Sequence, residues 1–195
     1  MIRFSLDLEL NTDGVSPTED IIQVGYTAFN SITGEIIETS GDYIQISKPL
    51  YPFIINLTGI TQHEIDTRGI SISESYKNLL KFCEKHEIKF GQMVTWGSGD
   101  LDEYKKAVLE SGEEWVFGRT EFNLKTFYQA YRSINGLGHS GGLRKSMKNC
   151  NVDWQVYMDT LPSGNKKQRT AHDARCDALN TALLYNHLVS KLRGM

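Results

Sequence analysis

Cysteine is scarce in this chain. Its 195 residues include Cys83, Cys150 and Cys176, odd in number, far apart and without a C-x-x-C pair. That pattern argues against a disulfide framework or a structural zinc site and leaves the three as small apolar residues. Long apolar runs are missing too, so no segment reads as a membrane span. The start, Met1-Ile2-Arg3-Phe4, lacks the basic, apolar, small-residue order of a signal peptide. The expected compartment is the cytoplasm, with no membrane partner. Positive charge is not in excess: 21 Lys and Arg against 24 Asp and Glu give a net charge of −3. The protein therefore does not coat nucleic acid by bulk charge. A nucleic-acid enzyme is still compatible, because a carboxylate site filled by divalent cations attracts phosphate. Internal repeats, low-complexity stretches and linkers are absent, and one domain over 1–195 is the simplest organisation.

What is present is a legible order of elements. Ile2 to Leu10 predicts a strand, with Phe4, Leu6, Leu8 and Leu10 alternating against Ser5, Asp7 and Glu9. Turn formers fill Asn11 to Pro17. Strands are expected over Ile21–Asn30 and Glu35–Ser47, joined at Thr33-Gly34 into an antiparallel meander. Pro49 and Pro52 break the chain, and Thr58 to Asp66 reads as a short helix or turn. Ser73 to His86 is helical, with Tyr76, Leu79, Leu80 and Cys83 on one stripe. Gln92 to Trp96 is a short strand, turned by Gly97-Ser98-Gly99 into a helix from Asp100 to Glu110. Helices are also expected over Leu124–Ser133, Leu143–Asn149 and Ala174–Leu192, with a loop over Gly136–Gly142. Strands followed by alternating helices and a strand indicate a mixed α/β layer structure. Phe4, Phe53 and Phe90 are expected in the core.

Three acidic elements carry candidate chemistry. Asp7 and Glu9 lie two apart on a strand, so their side chains share a face opposite the apolar residues. Adjacent carboxylates repel, and a hard cation such as Mg²⁺ or Mn²⁺ offsets that repulsion. A solvent-facing polar edge would give the same pattern. Asp100 opens a helix after a short strand, where an N-cap is the plainer role. Asp102 and Glu103 read as first-turn charges complementing the helix dipole. His172 and Asp177 are five apart and would point about 140° away from each other within one helix. They can share a site only if His172 precedes the helix. Asp173 reads as that helix's cap.

Basic residues collect late, as Arg144, Lys145 and Lys148, then Lys166, Lys167 and Arg169, with Arg175 beyond. They are either solvated surface or a rim that tracks phosphates. The second cluster is favoured as the rim because it abuts His172.

The ordered set, Asp7-Leu8-Glu9, then Trp96-Gly97-Ser98-Gly99-Asp100, then His172 through Asp177, resembles the DEDD exonucleases of the histidine subclass. Asn56-Leu57-Thr58-Gly59-Ile60-Thr61 and Trp96-Gly97 are similar to the Eri-type and KinA-pathway-inhibitor branch, as are Asn123-Leu124-Lys125 and Gly142-Leu143. The likeness runs from Phe4 to about Leu188. It implies a ribonuclease-H-like fold, an antiparallel meander plus parallel strands flanked by helices. It implies that Asp7, Glu9, Asp100 and Asp177 hold two Mg²⁺ or Mn²⁺ ions, with His172 as general base. The activity it implies is 3′-to-5′ hydrolysis at the end of single-stranded nucleic acid, RNA favoured over DNA. Leu10, Leu57 and Ile60 are candidates for contact with the terminal nucleotide, and Lys166, Lys167 and Arg169 for contact with phosphates. Two departures stand out: Leu10-Asn11 after Glu9, and the long stretch Asp153 to Lys167, which reads as an insertion. A non-catalytic nucleic-acid-binding module on the same fold is the competing reading, although it gains nothing from clustered carboxylates.

Overall fold

The alternating segment at the start of the chain becomes the central strand of a sheet. The computed structural model describes residues 1–13, 15, 20–89, 93–118, 121–139 and 141–194. In it, β1 (Ile2–Asn11) lies between β2 (Asp20–Asn30) and β4 (Val94–Thr95). With β3 (Ile36–Tyr43) and β5 (Phe122–Asn123) at the edges, the sheet order is β3-β2-β1-β4-β5. Strands β1 to β3 are antiparallel, while β4 and β5 run parallel to β1. The mixed sheet is the one the element order predicts. β3 ends earlier than expected, at Tyr43, after which Ile44 makes a single bridge to Ile70. The strand expected from Gln92 begins among residues outside those described. β5 has only two residues, too few to show a period in sequence.

One face of the sheet meets helices α3 (Ile72–Lys85) and α4 (Asp100–Glu110). Phe4, Leu6 and Leu8 pack there with Tyr76, Leu79, Cys83, Leu101, Tyr104 and Val108. Burying each large side chain contributes roughly 1.5–3 kcal/mol, which fixes the register of β1. The short helix expected near 58–66 is instead two: α1 (Pro52–Thr58) and α2 (Gln62–Arg68). Pro52 suits the first turn because its ring presets φ and needs no N–H partner. Gly59, at φ 68°, ends α1, and a Thr61–Glu64 capping box starts α2. Phe53 is 56% exposed on α1, which corrects its expected core placement. Phe90 lies outside the described residues. Helices α5 (Leu124–Ile134) and α6 (Leu143–Asn149) form as expected. The stretch read as an insertion folds into a hairpin of β6 (Tyr157–Thr160) and β7 (Lys166–Arg169), separate from the main sheet. No helix among the described residues is long and apolar enough to cross a membrane.

The opposite face of the sheet is covered by α7 (Ala174–Arg193). Residues paired across antiparallel strands share a face, so Asp7, Gly25 and Gly41 form one row and Glu9, Gln23 and Tyr43 the next. The glycine row makes room for the helix. A Cβ at Gly25 would lie 2.1 Å from the carbonyl carbon of Ala174, and one at Gly41 would lie 2.8 Å from Cγ of Arg175. Ser5 Oγ donates to the Ala178 carbonyl at 2.6 Å, further along the same helix. Gln23 holds the helix start from both sides. Its Nε2 donates to Asp173 Oδ2 at 3.0 Å, and its Oε1 accepts from Ala174 N at 2.8 Å.

Gly25→Ala is expected to push α7 off the sheet and destabilise the fold by about 2 kcal/mol or more. Gly118→Ala, where an added Cβ meets nothing within 4 Å, is expected to change stability by less than about 0.5 kcal/mol. Urea unfolding of both variants reads the difference, and equal stabilities would remove Gly25 from this role.

Candidate active site

Three segments bring the acidic residues together. β1 presents Asp7 and Glu9 on the face under α7. The Gly97-Ser98-Gly99 turn delivers Asp100 as the first residue of α4, with Gly99 rather than Asp100 at the cap position. The start of α7 supplies His172 and Asp177. Asp173 is the N-cap, accepting from the backbone N–H of Arg175 and Cys176. His172 therefore precedes the helix, as its spacing to Asp177 requires. It takes a left-handed backbone, φ 63°, tolerated in a histidine at modest cost. In that conformation its N–H donates to Asp177 Oδ2 at 3.4 Å. One ligand-type atom from each of Glu9, His172 and Asp177 lies within 4.8 Å of the others.

The electrostatics are those of crowded, partly desolvated carboxylates. Burial, then the neighbouring Asp177, Asp100, Glu9 and Asp173, push the Asp7 carboxyl well above the usual carboxylate range. Burial and then Asp177, Asp173 and Asp100 do the same to Glu9. Asp100 is pushed up to about 7 by burial and by Glu121. Asp177 also rises to about 7, mainly by burial, with the His172 N–H working in the opposite direction. Among the described residues, none of these four acids forms an ion pair with a side-chain cation. Asp177 Oδ1 is buried and has no hydrogen-bond partner among the described residues. A buried carboxylate oxygen left bare is costly, and a hard divalent cation is the partner that suits this oxygen-rich set. The residues present therefore fit the metal requirement.

Asp173 contrasts with its neighbours because it is fully compensated. Arg175 Nη2 donates to it at 2.9 Å, to Asp159 at 3.2 Å and to the Tyr43 hydroxyl at 2.9 Å. Arg68 grips Asp159 with two bonds of 2.9 Å. Arg169 reaches Asp159 Oδ2 at 3.1 Å and makes a short contact to Glu64. This ion network fastens the β6–β7 hairpin to α2 and to the α7 start. The arginines hold the Asp159 carboxyl far below its ordinary range despite its burial.

The remaining sequence candidates fall in different places. Leu10 is half-buried just past the strand irregularity at Glu9. Leu57 is 39% exposed on α1, four residues after exposed Phe53. Bonds between Asn11, Pro49 and Tyr51 hold the start of α1 against the end of β1. Ile60 is fully buried with Ile22, Tyr43 and Ile65, a packing role rather than the expected nucleotide contact. Arg169, 2% exposed, is consumed by the ion network rather than offered to phosphate. Lys167 donates to Glu64 and the Gly59 carbonyl, each at 3.3 Å, and Lys166 is exposed. Residues that sequence reading passed over include Gln23, Gly25, Gly41 and Glu121, which accepts from Thr95 Oγ1 at 2.9 Å. Paired glycines in neighbouring strands were the available signal for a close approach.

No protein-family profile and no curated protein matches the sequence. Solved structures do match. The chain superposes on cell-death related nuclease 4 with a TM-score of 0.79 and 20% identity, covering 97% of this chain and 64% of that one. The nuclease domain of 3′hExo, a DEDDh family member bound to rAMP, gives 0.73 and 20%, covering 99% and 92%. The zinc-bound E. coli exonuclease I complex with single-stranded DNA gives 0.67 and 14%, covering 98% of this chain and 42% of that one. The chain thus spans less than two thirds of two of these three proteins. The likeness establishes the ribonuclease-H-like fold of the DEDDh exonucleases.

The raised carboxyls set a pH dependence for the metal-free protein. Between about 4, the unfolded value, and about 7, where Asp100 and Asp177 titrate, the folded chain binds more protons than the unfolded one. Stability should therefore fall as pH rises through that window. Asp177→Asn is expected to raise the melting temperature in EDTA at pH 7.5, at about 2–4 °C per kcal/mol of relieved repulsion. Mn²⁺ should stabilise the unmodified protein more than the variant. Calorimetry showing rising metal-free stability from pH 4 to 7 would contradict the assignment.

Proposed function

We propose that this protein is a metal-dependent 3′-to-5′ exonuclease acting on single-stranded nucleic acid, with RNA favoured over DNA. The observation that carries the reading is the carboxylate cluster of Asp7, Glu9, Asp100 and Asp177, without a side-chain cation among the described residues, with His172 at its edge. The RNA preference rests on the similarity of Leu57-Thr58-Gly59-Ile60-Thr61 to the Eri-type segment.

Asp7, Glu9, Asp100 and Asp177 would hold two Mg²⁺ or Mn²⁺ ions. Bound there, such ions supply Lewis acidity that activates water and stabilises a departing oxygen. Exposed His172 accepts the proton from the attacking water, a task suited to neutral imidazole. The water oxygen forms the new bond to phosphorus as the bond to the 3′-oxygen of the preceding nucleotide breaks. The released product is a nucleoside 5′-monophosphate, and the shortened strand keeps a 3′-hydroxyl. Phe53 and Leu57, exposed four apart on α1 near the end of β1, supply an apolar surface for a terminal base. A binding module without catalysis would have no use for four mutually repelling acids.

Asp7→Ala is expected to abolish hydrolysis without unfolding the chain, since it removes repulsion. His172→Ala is expected to lower the turnover number by about 100-fold or more, with a much smaller change in substrate affinity. Activity should vanish in EDTA and return with Mg²⁺ or Mn²⁺. Single-turnover kinetics on a 3′-labelled oligonucleotide test all three. Near-normal rates in Asp7→Ala, or activity that survives chelation, would overturn the reading.

A further inference from the structure

The two basic clusters of the sequence end in opposite states. Lys167, Arg169 and Arg175 are engaged with Glu64, Asp159 and Asp173. Arg144, Lys145 and Lys148, on α6, are exposed, and among the described residues none of them pairs with a carboxylate. They rim a cavity of about 680 Å³ with Met147, Val152 and Trp154 on its walls. Asp153 also lines it, so the three cations outnumber the acid. The Arg144 guanidinium lies over the Trp154 ring, 5.6 Å from its centroid.

The chain just past the cavity is tied to the helix that carries Asp177. Gln155, next to Trp154, exchanges two hydrogen bonds with Asn180: its N–H donates to Oδ1 at 2.9 Å, and its carbonyl accepts from Nδ2 at 2.7 Å. Its carbonyl also accepts from Cys176 Sγ at 3.3 Å. Cys176 and Asn180 flank Asp177 on the first two turns of α7. The segment that follows Trp154 is thereby fixed to the first two turns of the helix bearing Asp177.

We propose that this cavity binds the substrate strand upstream of the terminal nucleotide. Arg144 and Lys148 contact phosphates, and Trp154 offers a face to a base. The inference rests on nucleic acid being the substrate. An apolar wall beside unpaired cations suits a single strand, which presents bases and phosphates together. A free anion needs no apolar wall, and a duplex keeps its bases stacked inside.

The test is fluorescence anisotropy of a 5′-fluorescein 12-mer of uridine, in EDTA so that binding is read without hydrolysis. Arg144→Glu with Lys148→Glu is expected to weaken binding by at least about 10-fold and to reduce the salt slope by about 1.4, or 0.7 per lost contact. Trp154→Ala is expected to weaken it by at least about fivefold. Lys81→Glu with Lys89→Glu makes the same charge change elsewhere and should leave affinity within about twofold. Circular dichroism confirms that each variant is folded. Loss of binding in the α6 variant, with no nuclease activity in the unmodified protein, would keep the cavity and discard the hydrolysis reading. Absence of 12-mer binding by the unmodified protein overturns the proposal. So does an α6 double variant that binds as well as the Lys81/Lys89 control.

Discussion

The close crossing of α7 over the row Asp7–Gly25–Gly41 is the constraint on which the site depends. A helix resting on ordinary side chains would stand further from the sheet. The paired glycines let the Ala174 and Arg175 backbone sit against β2, and Gln23 fastens the helix start in that position. Asp177 is thereby held over the strand that carries Asp7 and Glu9. The chain accepts the repulsion among these acids because the apolar face of β1, packed on α3 and α4, fixes the strand register independently.

The protein treats the acids around the start of α7 in two ways. Asp159, Asp173 and Glu64 are saturated by Arg68, Arg169 and Arg175. Removing one member of such a buried set costs about 3–5 kcal/mol, because the partners remain charged. Among the described residues, Asp7, Glu9, Asp100 and Asp177 receive no such cation. No arginine among the described residues reaches that cluster, an arrangement that suits the proposed divalent ions. The saturated network also holds the β6–β7 hairpin, whose end leads directly to His172. A segment that reads as an insertion thus anchors the loop bearing the proposed base.

Much of this was legible in sequence. Strict alternation along β1 placed Asp7 and Glu9 on one face, and the five-residue spacing let His172 and Asp177 share a site only if the helix started between them. The long helices were readable because their apolar stripes repeat over several turns. The hairpin was not, since Tyr157–Thr160 and Lys166–Arg169 are short and polar and owe their order to ion pairs distant in sequence. Burial of Ile60 and Arg169 was equally hidden. Each is fixed by partners on other elements, and a sequence window shows only the residue type. Phe53 misled for the opposite reason: a phenylalanine is usually core, and this one lies on the outer side of a seven-residue helix.

In the proposed reaction Asp7, Glu9, Asp100, Asp177 and His172 release nucleotides one at a time from a 3′ end. Mass spectrometry of the products from an unlabelled single-stranded 12-mer, digested with Mg²⁺ and sampled early, tests it most directly. The expected products are nucleoside 5′-monophosphates together with a ladder of strands shortened from the 3′ end, each ending in a 3′-hydroxyl. Internal fragments, strands ending in a 3′-phosphate, or an undigested 12-mer would contradict it.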